Sequence, residues 1–246
     1  MSDKGLVLVT GGAKRIGAAI ARRLAAEGWA IGVHYRNSRD EAEELARELG
    51  AGSIALHADL EIEGSLAAMA DALAAAARPW VGLVNNASAF TYDSIASFSF
   101  AEAQAAMSAN LFAPVYLARR LWERAEDGAF VVNIADQKIW NPNPDFLSYT
   151  LSKIALGHAN DTLAQALAPN VRVNCVAPGL TLLSGDQTEE NFTRVHGRTA
   201  LRRGTTPNDV AGAVAYLAAA NGVTGATLLV DAGQHLVPNS RDAMFD

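Results

Sequence analysis

The chain alternates between two hydrophobic periods. Gly5 to Thr10 (GLVLVT), Trp29 to Tyr35 (WAIGVHY), Ser53 to His57, Trp80 to Val84, Ala129 to Ile134 (AFVVNI), Val171 to Val176 (VRVNCV) and Thr227 to Asp231 are short apolar runs that read as strands. The first is apolar at nearly every position, as a parallel strand buried on both faces must be. Between these runs the spacing turns helical. Ile16, Ile20 and Leu24 share one face before the stop signal at Gly28, and a charged stretch from Asp40 to Leu49 ends at Gly50. An Ala-rich stretch from Glu63 to Ala77 is closed by Pro79, and further helices are expected over Phe100 to Glu126, Phe146 to Leu167 and Asn208 to Ala220. Strands alternating with helices predict an α/β chain built on a parallel sheet. Leu180 to Pro207 breaks the pattern, being long, polar and poor in strand signals. Such segments in compact domains are often lids. No repeat, linker or composition break divides the chain, so residues 1–246 are read as a single domain.

Composition narrows the classes. Half of the 246 residues are hydrophobic, enough for one large core. The formal charge of −6, with no basic run, argues against a nucleic-acid partner. Cys175, the single cysteine, excludes an internal disulfide and reads as a small buried hydrophobe. His34, His57, His158, His196 and His235 do not cluster in sequence, and no zinc-type spacing occurs, so no metal site is expected. The N-terminus reads as the start of a strand, not a signal peptide. Val210 to Val230 is charge-free but interrupted by Asn221-Gly222, which fits a helix, a turn and a strand better than a membrane span. A cytoplasmic protein is expected.

Candidate chemistry starts at the first turn. Thr10-Gly11-Gly-Ala-Lys-Arg15-Ile16-Gly17 joins a strand to a helix. The helix N-terminus there offers free N–H groups and a positive dipole end to a pyrophosphate, although the spacing is not G-x-G-x-x-G. In NAD-binding units an acidic residue about 20 residues further on binds the ribose 2′-OH. Here the second strand ends in His34-Tyr35-Arg36-Asn37-Ser38, with no carboxylate before Asp40. Arg36 and Ser38, and His34 if suitably oriented, offer donors to a 2′-phosphate, which favours NADP. Asp59-Leu60 closes the third strand, where Asp59 either reaches an adenine or caps the next helix. Small residues in Asn85-Asn86-Ala87-Ser88-Ala89 would let a cofactor approach the backbone, and Asn110 inside a long apolar helix needs a polar partner or a role. Tyr149 and Lys153 stand at i and i+4 on one helix face, where an ammonium lowers a phenol's pKa and makes it usable in proton transfer. Asp136 ends the fifth strand, with a turn-capping role as the alternative to a site role. Phe90 is either a platform for a flat ring or a packing residue. Asp145 reads as a cap or dipole partner of the following helix.

In order, TGGAKRIG at 10–17, NNAS at 85–88, Asn110, Tyr149-x-x-x-Lys153 and Pro178-Gly179 resemble the short-chain dehydrogenase/reductase family over essentially the whole chain. The resemblance implies a single-domain Rossmann fold, a doubly wound parallel sheet of about seven strands with helices on both faces. It further implies Tyr149 as acid/base, Lys153 tuning it and holding the cofactor ribose, Asn110 in a water relay, and a homotetramer. Arg15 replaces the family's usual Gly, and Asp136 its usual Ser. These variants, with NNASAF, resemble the pteridine reductase branch. That branch implies Arg15 near cofactor phosphate and pterin, Phe90 stacked on the pterin, and Ser88 touching cofactor and substrate. The chemistry agrees. A Ser beside the catalytic Tyr stabilises a developing carbonyl oxyanion, whereas an ionised Asp136 repels it. A dihydropterin instead offers a C=N bond whose nitrogen needs a proton. The expectation is an NADPH-dependent reductase of a pterin-like small molecule, with a carbonyl reductase or a non-catalytic NADP-binding regulator as alternatives.

Overall fold

The computed structural model describes residues 4–50, 52–125, 127–184 and 187–245. Among these, strands β1 (Leu6–Val9), β2 (Ala30–Tyr35), β3 (Ile54–His57), β4 (Trp80–Asn85), β5 (Ala129–Ile134), β6 (Val171–Pro178) and β7 (Thr227–Val230) form one parallel sheet in the order β3-β2-β1-β4-β5-β6-β7. Winding reverses between β1 and β4, whose Val9 and Val84 are in register. In open α/β sheets ligands bind beyond the strand ends at such a switch point.

Alternation within β1 explains its continuous apolar run. Leu6 and Leu8 join one core with Leu66 and Leu73 of α3 (Glu63–Ala74) and Leu117 and Leu121 of α5 (Ala113–Trp122). Val7 and Val9 face the other side, against Ile20 and Leu24 of α1 (Arg15–Ala26), Leu45 of α2 (Arg39–Leu49) and Val210 and Val214 of α8 (Pro207–Ala219). Each such leucine, fully buried, stabilises the fold by about 1.5–3 kcal/mol. Cys175 lies in β6 without exposure, and burial pushes its thiol up to about 12, as befits a small hydrophobe. Val210 to Val230 is a helix, a turn and a strand, and among the described residues no helix is long and apolar enough to cross a membrane.

Two expectations need correction. The helix expected over Phe100 to Glu126 is α4 (Phe100–Met107), a widened π turn (Ser108–Phe112) and α5, and Glu126 lies outside the described residues. Pro114 has no N–H with which to meet the Asn110 carbonyl one turn earlier. The Ala113 N–H instead reaches back to the Ser108 carbonyl. The stretch from Leu180 to Pro207 is not irregular throughout, because it contains α7 (Glu189–Arg198), capped by the Thr188 hydroxyl. Gly185 and Asp186 of that stretch lie outside the described residues.

Candidate active site

The first β–α turn is held shut by its neighbours. Thr10 Oγ1 accepts the N–H groups of Asn86 (2.9 Å) and Ala87 (3.0 Å), while Asn86 Nδ2 donates to the carbonyls of Thr10 and Gly11. Gly11 has φ +59°, and a Cβ on Gly17 would lie 2.1 Å from the Gly11 carbonyl oxygen, so side chains are excluded where the turn meets α1. Beside it opens a cavity of about 410 Å³, lined by Gly11, Arg15, Ile16, Gly17, Asp59, Leu60, Asn86, Ala87 and Ser88 among others. Ala18 N–H donates to the Lys14 carbonyl, so the amides ahead of it precede the helical ladder. Bare backbone, a helix N-terminus and small residues 86–89 fit a phosphate-bearing dinucleotide.

The end of β2 differs from expectation. Gly11 N–H donates to His34 Nδ1 at 2.9 Å, which places the proton on Nε2, 3.1 Å from the Ala58 carbonyl. Burial lowers His34 to about 4, so the ring is neutral. Both ring nitrogens bond within the protein, and His34 offers no donor to a 2′-phosphate. Arg36 lines the cavity but pairs with Asp59 and Glu61, each at 2.9 Å. Asp59 does not cap α3, which starts after Ile62, and its carboxylate takes the Glu61 N–H as well as Arg36. Tyr35 packs on His57, Asn37 is exposed and Ser38 precedes α2, and none is among the described residues lining this cavity. Lys14, which the motif contained but no role had been given, does line it.

A second cavity, of about 330 Å³, shares Arg15, Ile16, Asn86 and Ser88 with the first. Its walls include Phe90, Asp136, Tyr149, Lys153, Pro178 and Gly179. β5 delivers Asp136, and the face of α6 (Leu147–Leu167) delivers Tyr149 and Lys153 one turn apart. Tyr149 Oη donates to Asp136 Oδ2 at 2.6 Å, and Asp136 Oδ1 accepts the Lys138 N–H at 2.9 Å. Lys153 Nζ donates to the Ile134 carbonyl at 2.7 Å and lies 5.8 Å from the Tyr149 ring centre. Burial lowers its ammonium to about 8, so it is charged at neutral pH and loses that charge as pH rises through about 8. Burial raises the Asp136 carboxyl above the usual carboxylate range, against the Tyr149 hydrogen bond. Burial and the neighbouring Asp136 hold Tyr149 well above the usual phenol range. The expected lowering of Tyr149 by Lys153 is therefore not what the site produces. Burial comes first and the Asp136 carboxyl at 2.6 Å second, while the Lys153 ammonium points to a carbonyl.

Asn110 has found its partners. Its Oδ1 accepts the Ala89 N–H at 2.8 Å, and its Nδ2 donates to the Ala89 carbonyl and to Ser152 Oγ. The side chain thus ties the loop after β4 to α6. Phe90 stacks on Phe146 at 4.3 Å, meets Tyr149 edge-on at 4.7 Å, and lines the second cavity. Phe146 reaches it from a left-handed backbone, φ 54° and ψ 52°, rare for a bulky side chain.

The C-terminal segment completes the wall through residues that sequence reasoning passed over. Lys138 is buried in the second cavity's wall, and its Nζ donates to Asn143 Oδ1 (3.2 Å), the Asp145 carbonyl (3.1 Å) and Asp242 Oδ2 (2.6 Å). Asp145 is not the cap of α6. Arg241 grips its carboxylate at 2.7 and 2.9 Å and holds it below the usual carboxylate range. The Ser148 N–H at the start of α6 goes to Asp93 instead. Phe245 packs against Tyr92 and Phe146.

A sheet wound about a nucleotide-sized cleft, with a phenol, a carboxyl and a lysine at its edge, is the framework of a cofactor-dependent oxidoreductase. The family model described as enoyl-(acyl carrier protein) reductase matches residues 11–235, and the chain belongs to the short-chain dehydrogenase/reductase family. The 3β-hydroxysteroid dehydrogenase 1 of Eggerthella lenta is 33% identical over 94% of each chain. Pteridine reductase 1 of Leishmania tarentolae is 31% identical over 94% of this chain and 96% of its own. The crystal structure of FolM alternative dihydrofolate reductase 1 from Brucella canis, complexed with NADP, matches with a TM-score of 0.91 at 38% identity, covering 98% of both chains.

Proposed function

We propose that the chain is an NADPH-dependent reductase of a dihydropterin-type substrate, such as a pteridine, dihydromonapterin or dihydrofolate. The observation that carries this reading is the 2.6 Å hydrogen bond between Tyr149 and Asp136 in the wall of the second cavity. Similarity to the Leishmania and Brucella proteins supports it. Gly11, Arg15, Ile16, Gly17, Arg36, Asp59, Leu60, Asn86, Ala87, Ser88, Pro178 and Gly179 would hold the cofactor, with Lys153 on its ribose. NADPH, when bound, supplies hydride to the carbon of a ring C=N bond.

The chain's own part is the proton. Reducing C=N to CH–NH adds one hydride to carbon and one proton to nitrogen. Tyr149 donates to Asp136 across their hydrogen bond, and burial raises the pKa of both groups. A buried carboxyl of raised pKa gives up and regains a proton nearer neutrality than a free one does. Lys153 keeps a positive charge close by without spending the phenol's proton. Phe90 offers a flat apolar surface to a heterocycle, while Arg15 and Ser88 stand where the two cavities meet. Arg15 Nη2 also donates to the Leu183 carbonyl at 2.8 Å, which supports segment 180–207 as a lid. A homotetramer and a cytoplasmic setting belong to the same proposal.

Similarity to the hydroxysteroid dehydrogenase favours a second reading, reduction of a carbonyl. That reading requires Asp136 to be protonated, because an ionised carboxylate repels the developing oxyanion. Initial rates with NADPH on dihydrobiopterin, dihydromonapterin and dihydrofolate, beside ketones and a 3-oxoacyl substrate, separate the two. At least one dihydropterin is expected to exceed every carbonyl compound in kcat/KM. Robust ketone turnover with none on the three pterins would overturn the proposal.

A further inference from the structure

Glu61 lines the first cavity and serves no step described above. Its Oε1 takes Arg36 Nη1 at 2.9 Å, while Asp59 Oδ2 takes Nη2 at 2.9 Å. The guanidinium is therefore held between two carboxylates. They are not equivalent. Asp59 Oδ1 also accepts the Glu61 N–H at 3.0 Å, which fixes Asp59 in the turn. The Glu61 side chain reaches outward to Arg36, and both are part-exposed, at 32% and 55%.

We infer that Glu61 is a specificity-determining residue, which competes with the nucleotide's 2′-phosphate for Arg36 and so sets the preference between NADPH and NADH. The inference rests on the reading that this cavity takes NADPH with Arg36 at the 2′-phosphate. A phosphate dianion reaching Arg36 must either displace Glu61 from Nη1 or lie beside its negative charge. Both oppose binding. A nucleotide with a 2′-hydroxyl carries no such charge and meets neither penalty. Glu61 thus weakens NADPH selectively and leaves NADH nearly untouched.

Glu61→Gln keeps the side chain's size and removes its charge. Fluorescence titration of the purified protein with NADPH and NADH is the test. For this variant the NADPH Kd is expected to fall about five-fold at low ionic strength, with NADH changing less than about two-fold, and the gain is expected to shrink as salt screens the pair. In an Arg36→Ala background the gain is expected to vanish. An unchanged or weaker NADPH Kd in Glu61→Gln overturns the inference, and so does a gain that persists without Arg36. Arg36→Ala alone separates the inference from its premise. If it lowers the NADPH preference while Glu61→Gln does nothing, only the role of Glu61 falls. If it leaves the NADPH/NADH ratio unchanged, the assignment of Arg36 to the 2′-phosphate falls with it.

Discussion

Tyr149→Phe is expected to lower kcat about 10²–10⁴-fold, the usual contribution of a positioned acid/base, while the NADPH Kd stays within about two-fold. The phenol hydroxyl bonds to Asp136, and its ring is held by the edge contact with Phe90. Removing the oxygen keeps the ring and its packing, so a lost rate with retained cofactor binding isolates proton transfer. Stopped-flow single turnovers and an NADPH titration check both halves. Turnover within a few-fold of the parent would mean that the proton comes from elsewhere.

Lys138→Ala is expected to destabilise the protein by about 2–4 kcal/mol. Breaking a buried ion pair leaves the partner charge uncompensated, and the wall of an open cavity moderates that loss. Lys138 supplies hydrogen bonds to Asn143 and the Asp145 carbonyl and an ion pair to Asp242, so one substitution releases all three. In a chain of this size the melting temperature should fall by about 5–15 °C. Limited proteolysis should also cut the C-terminal segment earlier, since Asp242 loses its Lys138 anchor. A melting temperature within about 2 °C of the parent would show that the hub adds little.

What could be read from the sequence was local. A Gly turn between strand and helix, and a Tyr and Lys one helical turn apart, are set by neighbours in the chain, and the structure brings both to the β1/β4 switch point. The break around Asn110 was also locally encoded. Pro114, four residues on, is the signal that a continuous helix from Phe100 overlooks. Other features depend on residues distant in sequence. The partner of Lys138 is Asp242, the Ser148 N–H at the start of α6 goes to Asp93, and His34 is claimed by Gly11 and Ala58. No periodicity announces such pairs. The raised pKa of Tyr149 is hidden from the sequence for a related reason. The Tyr-x-x-x-Lys spacing shows the ammonium nearby but cannot show that it bonds to the Ile134 carbonyl while a carboxyl takes the phenol. Arg36 gave the same lesson, since its basic character was visible and its two acidic partners were not.

Under the proposed pterin reduction, Asp136 is the residue that separates this site from one for carbonyl reduction. The most direct measurement is the ratio of kcat/KM for the best dihydropterin to that for a ketone, with NADPH, in the parent and in Asp136→Ser. The account predicts that the substitution lowers this ratio by about 10²-fold or more, through lost proton delivery to the ring nitrogen and a hydroxyl better suited to a carbonyl oxygen. An Asp136→Ser protein that reduces the dihydropterin as well as the parent does would contradict it.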